Sequence, residues 1–423
     1  MLSAARALHG VGSLMLMNFR TGSLAPRVAV PSLRQIAAFR ARGPVSPALA
    51  AKPFDLAIGE WWQVPDVGNS QLADVYASPA PAGDQAAIMY AWGSAALDTL
   101  RKRVFVWNGG HLDYAGNEGY IFDLDPESGT YLTWFRNLYY STADTNDDET
   151  YSDGSPAARH VYASLEYHPV LDKYFFGPGC AIYDSGAFTR GVWGLDAAVN
   201  SPNAASPGSW TRYDDLPAGI DDADASQLAW DSEDGLFYHN HHGTNGGLAS
   251  FDPTLGAGSQ WTIITNGSDN GLVQWDPTCI AHTTPKRHCF AVNGLSTLVV
   301  RRLDTNAWEG SESAFGLTGD TNIFQGVSVG IQWDDTLQKL VCWGGTRTGG
   351  TDNRDVYTVD LGTKVVSRIT GTGDTPDNPT NGGSGDTGTF GRWRNLSSLG
   401  AAWAGLYLLV NSTTSHVYFY RAS

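Results

Sequence analysis

The stretch Leu97-Asp98-Thr99-Leu100-Arg101-Lys102, followed by RVFVWNGG (103–110), decides the fold. It reads as a strand end, a tight turn carrying aspartate, and a second apolar strand that stops at two glycines. That is the pattern of a β-hairpin. The same phrase recurs down the chain. Its turns stand at Pro169-Val170-Leu171-Asp172-Lys173, Trp230-Asp231-Ser232-Glu233-Asp234-Gly235, Pro285-Lys286-Arg287, Asp334-Asp335-Thr336-Leu337-Gln338-Lys339 and Trp403-Ala404-Gly405. The strands that follow are KYFFGPG, LFYHNHHG, HCFAVNG, KLVCWGG and LYLLVN. A third strand comes next in every copy: YIFDLDP (120–126), GVWGLDA (191–197), LASFDPT (248–254), LVVRRLD (298–304), VYTVDLG (356–362) and HVYFYRA (416–422). A fourth opens on Trp134, Trp210, Trp261 or Trp308, with Val365-Val366 in its place in the fifth copy.

Repeats of this kind stack a supersecondary unit that cannot bury its own apolar faces. They predict an all-β, six-bladed β-propeller of four-stranded antiparallel blades, with seven blades as the alternative. The sixth copy ends at Ser423 after its third strand. A matching fourth strand stands far upstream, at Glu60-Trp61-Trp62-Gln63-Val64-Pro65. Pairing it with the last blade closes the ring and removes an exposed edge. The chain therefore divides into residues 1–59, outside the ring, and a propeller over 60–423.

Gly109-Gly110 and Gly344-Gly345 after second strands, Tyr120 and Tyr357 in third strands, and tryptophans opening fourth strands form a further pattern. On these residues the chain resembles kelch-type and galactose-oxidase-like propellers over nearly everything after residue 60, although only two copies keep the double glycine. The run Gly109-Gly110-His111-Leu112-Asp113-Tyr114-Ala115-Gly116-Asn117-Glu118 is similar to a segment of uncharacterised kelch-like proteins of bacteria and their phages, which implies a lineage rather than an activity. The copper-radical chemistry of galactose oxidase needs a Tyr–Cys crosslink and histidine ligands. Cys180 and Cys342 both fall mid-strand, so no copper site is read.

The formal net charge of −16, with no basic stripe to offset it, excludes nucleic acid as a partner. No stretch approaches the roughly 18 apolar residues of a membrane span. The four cysteines contain no CxxC pair for zinc. Cys279 and Cys289 flank a hairpin turn and read either as a disulfide or as two small buried hydrophobes. Residues 1–54 hold no Asp or Glu but carry Arg6, Arg20, Arg27, Arg34, Arg40, Arg42 and Lys52. Two readings stand: a targeting sequence whose run Ala48-Leu49-Ala50-Ala51 resembles a cleavage site, or a basic tail that docks the domain onto a larger assembly.

In an antiparallel blade the loops after strands two and four leave by one face, and those after strands one and three by the other. The long loops, such as 138–158 and 371–391, all belong to the first face, and long loops on a rigid scaffold are where binding resides. The ligand-binding candidates placed there are His111, Asp113, Tyr114, Arg159, His160, His241, Arg347 and Arg394. Tyr238-His239-Asn240-His241-His242 puts two imidazoles on one side of a strand, but nothing at fixed spacing completes a metal site, so no metal is assigned. Asp144-Thr145-Asn146-Asp147-Asp148-Glu149 and Asp221-Asp222-Ala223-Asp224 read as solvated loops with calcium as the minor alternative.

The functional expectation is a non-catalytic recognition module that takes a glycan or protein partner on the long-loop face, outside the cytoplasm or as a component of a phage virion. The rival is a secreted carbohydrate-active enzyme, in particular a polysaccharide lyase. A lyase needs a His or Tyr base and a cation for the uronate carboxylate, which His111, Tyr114, His160, His241, Arg159 and Arg394 could supply. Arg159 and Arg394, however, read more readily as ties that hold loops through carbonyls and Asp residues.

Overall fold

The computed structural model describes residues 46–423 apart from 142–148, 180–181, 184, 199–207, 219, 221–226, 242–246, 267–276, 293–296, 312–313, 326–328, 345–351 and 378–387. Six small antiparallel sheets follow one another around a ring, so the propeller has six blades and not seven. Blade 1 runs outward through Ser94–Asp98, Arg103–Trp107, Tyr120–Asp123 and Trp134–Arg136. Blade 2 is Glu166–His168, Lys173–Phe176, Gly191–Asp196 and Trp210–Asp215, and blade 3 is Ala229–Asp231, Leu236–His241, Gly247–Phe251 and Trp261–Asn266. Blade 4 holds Thr278–Ala281, Arg287–Val292 and Thr297–Arg302; its fourth position is reduced to one bridge between Trp308 and Arg301. Blade 5 is Gly330–Asp334, Lys339–Trp343, Val356–Asp360 and Val365–Ile369.

Blade 6 contains Trp393–Asn395, Leu406–Leu409 and Tyr418–Arg421, and its outer strand is Glu60–Gln63, paired Trp61 to Tyr420. Trp61 is buried among Trp343, Trp393, Tyr418 and Tyr420, and its indole N–H donates to the Arg354 carbonyl at 2.8 Å. The closing strand thus binds the fifth blade as well as the sixth. Just upstream, Pro47–Ala51 and Lys52–Asp55 form helical turns that lie on the ring. Phe54 meets Trp403 edge-on at 4.8 Å, and Leu56 is buried. This apolar part of the segment set outside the ring is packed against it; the six arginines between Arg6 and Arg42 fall outside the described residues.

The recurring aspartate explains why the repeats stay in register. Asp98 and Asp334, both fully buried at the ends of inner strands, accept backbone N–H groups of their own turns: Leu100 and Arg101, and Thr336 and Leu337. Each also accepts a tyrosine hydroxyl from the next blade, Tyr174 at 3.2 Å and Tyr407 at 2.9 Å. Asp231 does the same with Lys286 of blade 4 at 2.9 Å. Burial alone would raise the Asp231 pKa, but His282, Lys286 and a turn N–H hold it well below the usual carboxylate range. One residue therefore shapes a turn and joins two blades.

The double glycines serve a close approach. Gly344 has φ +92°, and a Cβ there would come within 2.0 Å of the Thr389 hydroxyl on the segment entering blade 6. Gly109 meets Ala158, on the segment entering blade 2, in the same way. Cys279, half-buried, and Cys289, buried, are cross-strand partners but remain free thiols against one apolar cluster, so no disulfide joins them. Among the described residues no helix is long and apolar enough to cross a membrane.

Candidate functional site

The inner strands surround the axis, and its two ends differ. At the long-loop end three blades enter their inner strands through an aromatic residue with left-handed backbone: Trp92 (φ 53°), Tyr162 (φ 45°) and Phe390 (φ 46°). Such a conformation is a genuine outlier for bulky side chains and costs about 1–3 kcal/mol each. The rings meet, Trp92 to Tyr162 at 6.1 Å and Tyr162 to Phe390 at 6.3 Å, with Tyr162 and Phe390 buried. They form an aromatic collar where blades 1, 2 and 6 meet at this end of the axis.

His160 lies against the collar, 4.7 Å from the Trp92 ring, and is fully buried. Its Nε2 is 2.8 Å from the Asp113 carboxylate and its Nδ1 is 3.3 Å from the Tyr162 hydroxyl. Burial pulls the His160 pKa below its ordinary value; Asp113 opposes this without reversing it. The imidazole is therefore neutral at pH 7. A carboxylate can only accept, so Nε2–H donates to Asp113 and Nδ1 accepts from Tyr162. Asp113 is one-third exposed and forms the outer end of this chain.

Beside it stands His111, exposed, with its ring 5.7 Å from that of His160. His111 and Leu112 are consecutive left-handed residues, φ 41° and 65°, after Gly110 at 90°. Four backbone bonds impose this: His111 N–H to Ile182, Leu112 N–H to Tyr183, Gly110 N–H to Tyr114 and Asp113 N–H to Gly110. Leu112 is left 64% exposed. The strained tip is thus gripped by blade 2 and presents His111, Leu112 and Asp113 outward.

Other candidates are structural. Tyr114 is buried and donates to Glu118, a buried carboxyl whose pKa is raised by desolvation. Arg159 is buried, donating to the Ala157 and Glu149 carbonyls and to Thr189, and Arg392 donates to carbonyls of Gly93, Gly388, Val410 and Asn411. Desolvation lowers the Arg392 pKa to about 10. Arg347 lies outside the described residues, as does the side chain of His241. His239 is buried and its Nδ1–H donates to the Gln227 carbonyl at 2.9 Å. Among the described residues no three His, Cys, Asp or Glu are arranged to hold a metal ion. Of the two acidic loops, only Glu149 is described, and it pairs with the Arg212 guanidinium and the Trp193 indole.

Arg394 needs a correction of place. Its strand, Trp393–Asn395, is so short that Arg394 is one residue from the turn cap Asn395. Its guanidinium bridges Ala95 of blade 1 with Leu165 and Glu166 of blade 2, bonding both Glu166 oxygens at 2.8 and 3.0 Å. It belongs to the other end of the axis, where a cavity of about 360 Å³ opens among the tight turns. Burial raises the Glu166 pKa, against the pull of Arg394. Residues from all six inner strands or their turns line this cavity, including Thr99, Tyr167, Trp230, Cys279, Trp333 and Arg394.

Neither the collar nor the cavity is foreseen from the sequence. The collar has a faint signal in the aromatic-small pairs Trp92-Gly93, Tyr162-Ala163 and Phe390-Gly391 that precede inner strands. Fold and site together define a six-bladed propeller with an aromatic collar at one axial end and a cavity at the other. No family model matches the chain, and no curated protein matches it.

Proposed function

We propose that this protein is a non-catalytic recognition propeller that binds a glycan or a protein partner at the long-loop rim of blades 1 and 2. The observation that carries the reading is the pair of adjacent left-handed residues, His111 and Leu112, held against their backbone preference so that His111 and Asp113 face outward over a buried His160. Strain of this kind persists only where the surroundings over-determine it, and it clusters at ligand-contacting sites. An imidazole and a carboxylate side by side offer both donor and acceptor to sugar hydroxyls or to a peptide backbone. The likeness to kelch-type propellers of bacteria and phages belongs with this reading, as do a site of action outside the cytoplasm or on a virion and a basic tail that anchors the ring to a larger assembly.

The lyase reading draws on the hydrogen-bonded chain Tyr162–His160–Asp113. Against it, Arg159 is bound to backbone carbonyls and Arg394 to Glu166 at the other end of the axis, so neither is placed to neutralise a uronate carboxylate beside His160. The test is binding of the full chain to immobilised polysaccharides and to candidate partner proteins, compared with His111→Ala and Asp113→Asn. Loss of at least about tenfold in affinity with an unchanged unfolding midpoint is expected, since both groups stand outside the core. Absorbance from unsaturated products on uronate polysaccharides would overturn the non-catalytic reading.

A further inference from the structure

The cavity at the tight-turn end has features that a gap left by packing lacks. Its volume of about 360 Å³ falls within the roughly 300–1,000 Å³ of small-molecule sites. The aromatic lining is regular: Tyr167, Trp230 and Trp333 each stand one residue before the turn-capping His168, Asp231 and Asp334 of blades 2, 3 and 5. The wall also includes the small side chains of Ala229 and Cys279, which leave room beside the rings. Thr99, Ser232 and Ser398 bring hydroxyls from the turns of blades 1, 3 and 6.

Charge selects the ligand class. Arg394 is matched by both oxygens of Glu166 at the cavity floor. His282 sits between Asp231 at 3.4 Å and Asp335 at 3.6 Å, and Asp335 also accepts the Trp333 indole N–H at 2.7 Å. Every charged group on the wall faces a partner, so a charged ligand would enter without a counter-ion and bear its desolvation cost. A neutral ligand avoids that cost. Indole faces are electron-rich and attract the weakly positive C–H face of a saturated ring, while hydroxyls around the mouth suit a ligand that is itself polyhydroxylated.

We propose that this axial cavity is a second binding site, separate from the long-loop rim, that takes the ring of a neutral hexose. The sugar is either free or the end residue of an oligosaccharide. Its ring lies against Trp230 and Trp333, and its hydroxyls meet Thr99, Ser232 and Ser398.

The experiment is saturation-transfer NMR on the full chain with methyl glucoside, methyl galactoside, methyl mannoside and maltotetraose, with glucuronate and glucosamine as charged comparators. At least one neutral sugar is expected to receive saturation. Transfer should fall about tenfold or more in Trp230→Ala and in Ser398→Trp, which blocks the mouth from an exposed turn without touching the core. It should be unchanged in His111→Ala, which reports the opposite end. Binding of the monosaccharides alone identifies a free-sugar site, and equal or stronger binding of maltotetraose identifies a chain-end site. The proposal is overturned if no neutral sugar receives saturation, if Ser398→Trp leaves the signal intact, if His111→Ala removes it, or if glucuronate or glucosamine binds as well.

Discussion

The two ends of the propeller axis are built from the same six inner strands, yet one carries an aromatic collar and the other a cavity. At the long-loop end Trp92, Tyr162 and Phe390 fold inward on left-handed backbone, and the loop face beyond them is braced by Arg159 and Arg392 on carbonyls. At the tight-turn end the aromatics stay in their strands, and Arg394 on the cavity wall has a carboxylate partner. The difference teaches that short turns, too, can border a cavity in this ring. The turns capped by Asp98, Asp231 and Asp334 line the cavity through Thr99, Ser232 and Asp335.

The largest expected effect tests the frame that both ends share. Trp61→Ala removes the aromatic centre of the seam and should cost about 3–5 kcal/mol in chemical denaturation, as for other buried tryptophans. A loss under about 1 kcal/mol would mean the ring does not depend on this closure.

The two arginines come next. Arg394→Met leaves Glu166 buried beside an uncharged side chain and should cost about 3–5 kcal/mol. Much of that should return in the double variant Arg394→Met, Glu166→Gln. Arg392→Met strands carbonyls only, costs about 1–3 kcal/mol and has no such single rescue. Equal behaviour of the two would erase the electrostatic contrast between the ends.

Histidine titration should then show opposite signs. The folded pKa of His160, beside Asp113, His111 and Tyr162, lies below its ordinary 6.5, chiefly through burial. The unfolded chain therefore takes up the proton first, and stability falls as pH drops below 6.5. His282 is raised above 6.5, chiefly by Asp231, with Asp335 and Glu233 adding to it, so its contribution is full below 6.5 and fades as pH rises through the folded value. Urea midpoints at about pH 5.5 and about pH 7.5 should show His160→Gln less acid-sensitive than the parent and His282→Gln more so. Each difference should stay below about 1.4 kcal/mol for every pH unit crossed, the ceiling for one proton. The same sign in both variants would sink the assignment.

The smallest effect concerns strain. His111→Gly places the permissive residue at φ 41° and should raise stability by a few tenths to about 1 kcal/mol while weakening binding at the rim. A loss of stability would show that the imidazole, not the backbone, governs the tip.

Most of the ring was legible because a repeated Asp turn states its function locally: the carboxylate caps the turn that carries it. Less was legible where one residue pairs beyond its own blade. Thr318-Gly319-Asp320 and Thr372-Gly373-Asp374 each add a short parallel edge, to Val365-Val366 and to Glu60-Trp61, and nothing in their local pattern announces a strand. Both glycines are left-handed, and a Cβ would press within 2.3 Å of a carbonyl of the strand they join. Of the candidate site, His111, Asp113 and His160 do come together, because all three lie within one contiguous stretch of blades 1 and 2. The collar and the cavity depend on residues from three and six blades, and no local pattern marks a tryptophan as left-handed or a strand residue as lining an axis.

The pairing of Trp61 with Tyr420 also sets a timetable. During synthesis the closing strand leaves the ribosome among the first residues of the ring, and its partner among the last. At roughly 5–20 residues per second the interval is some tens of seconds. Throughout it the growing protein is an open arc with an unpaired edge at the latest blade. The seam is thus the final joint of the ring to be made, and the nascent chain holds Trp61 and Trp62 in reserve until Tyr418–Arg421 has emerged.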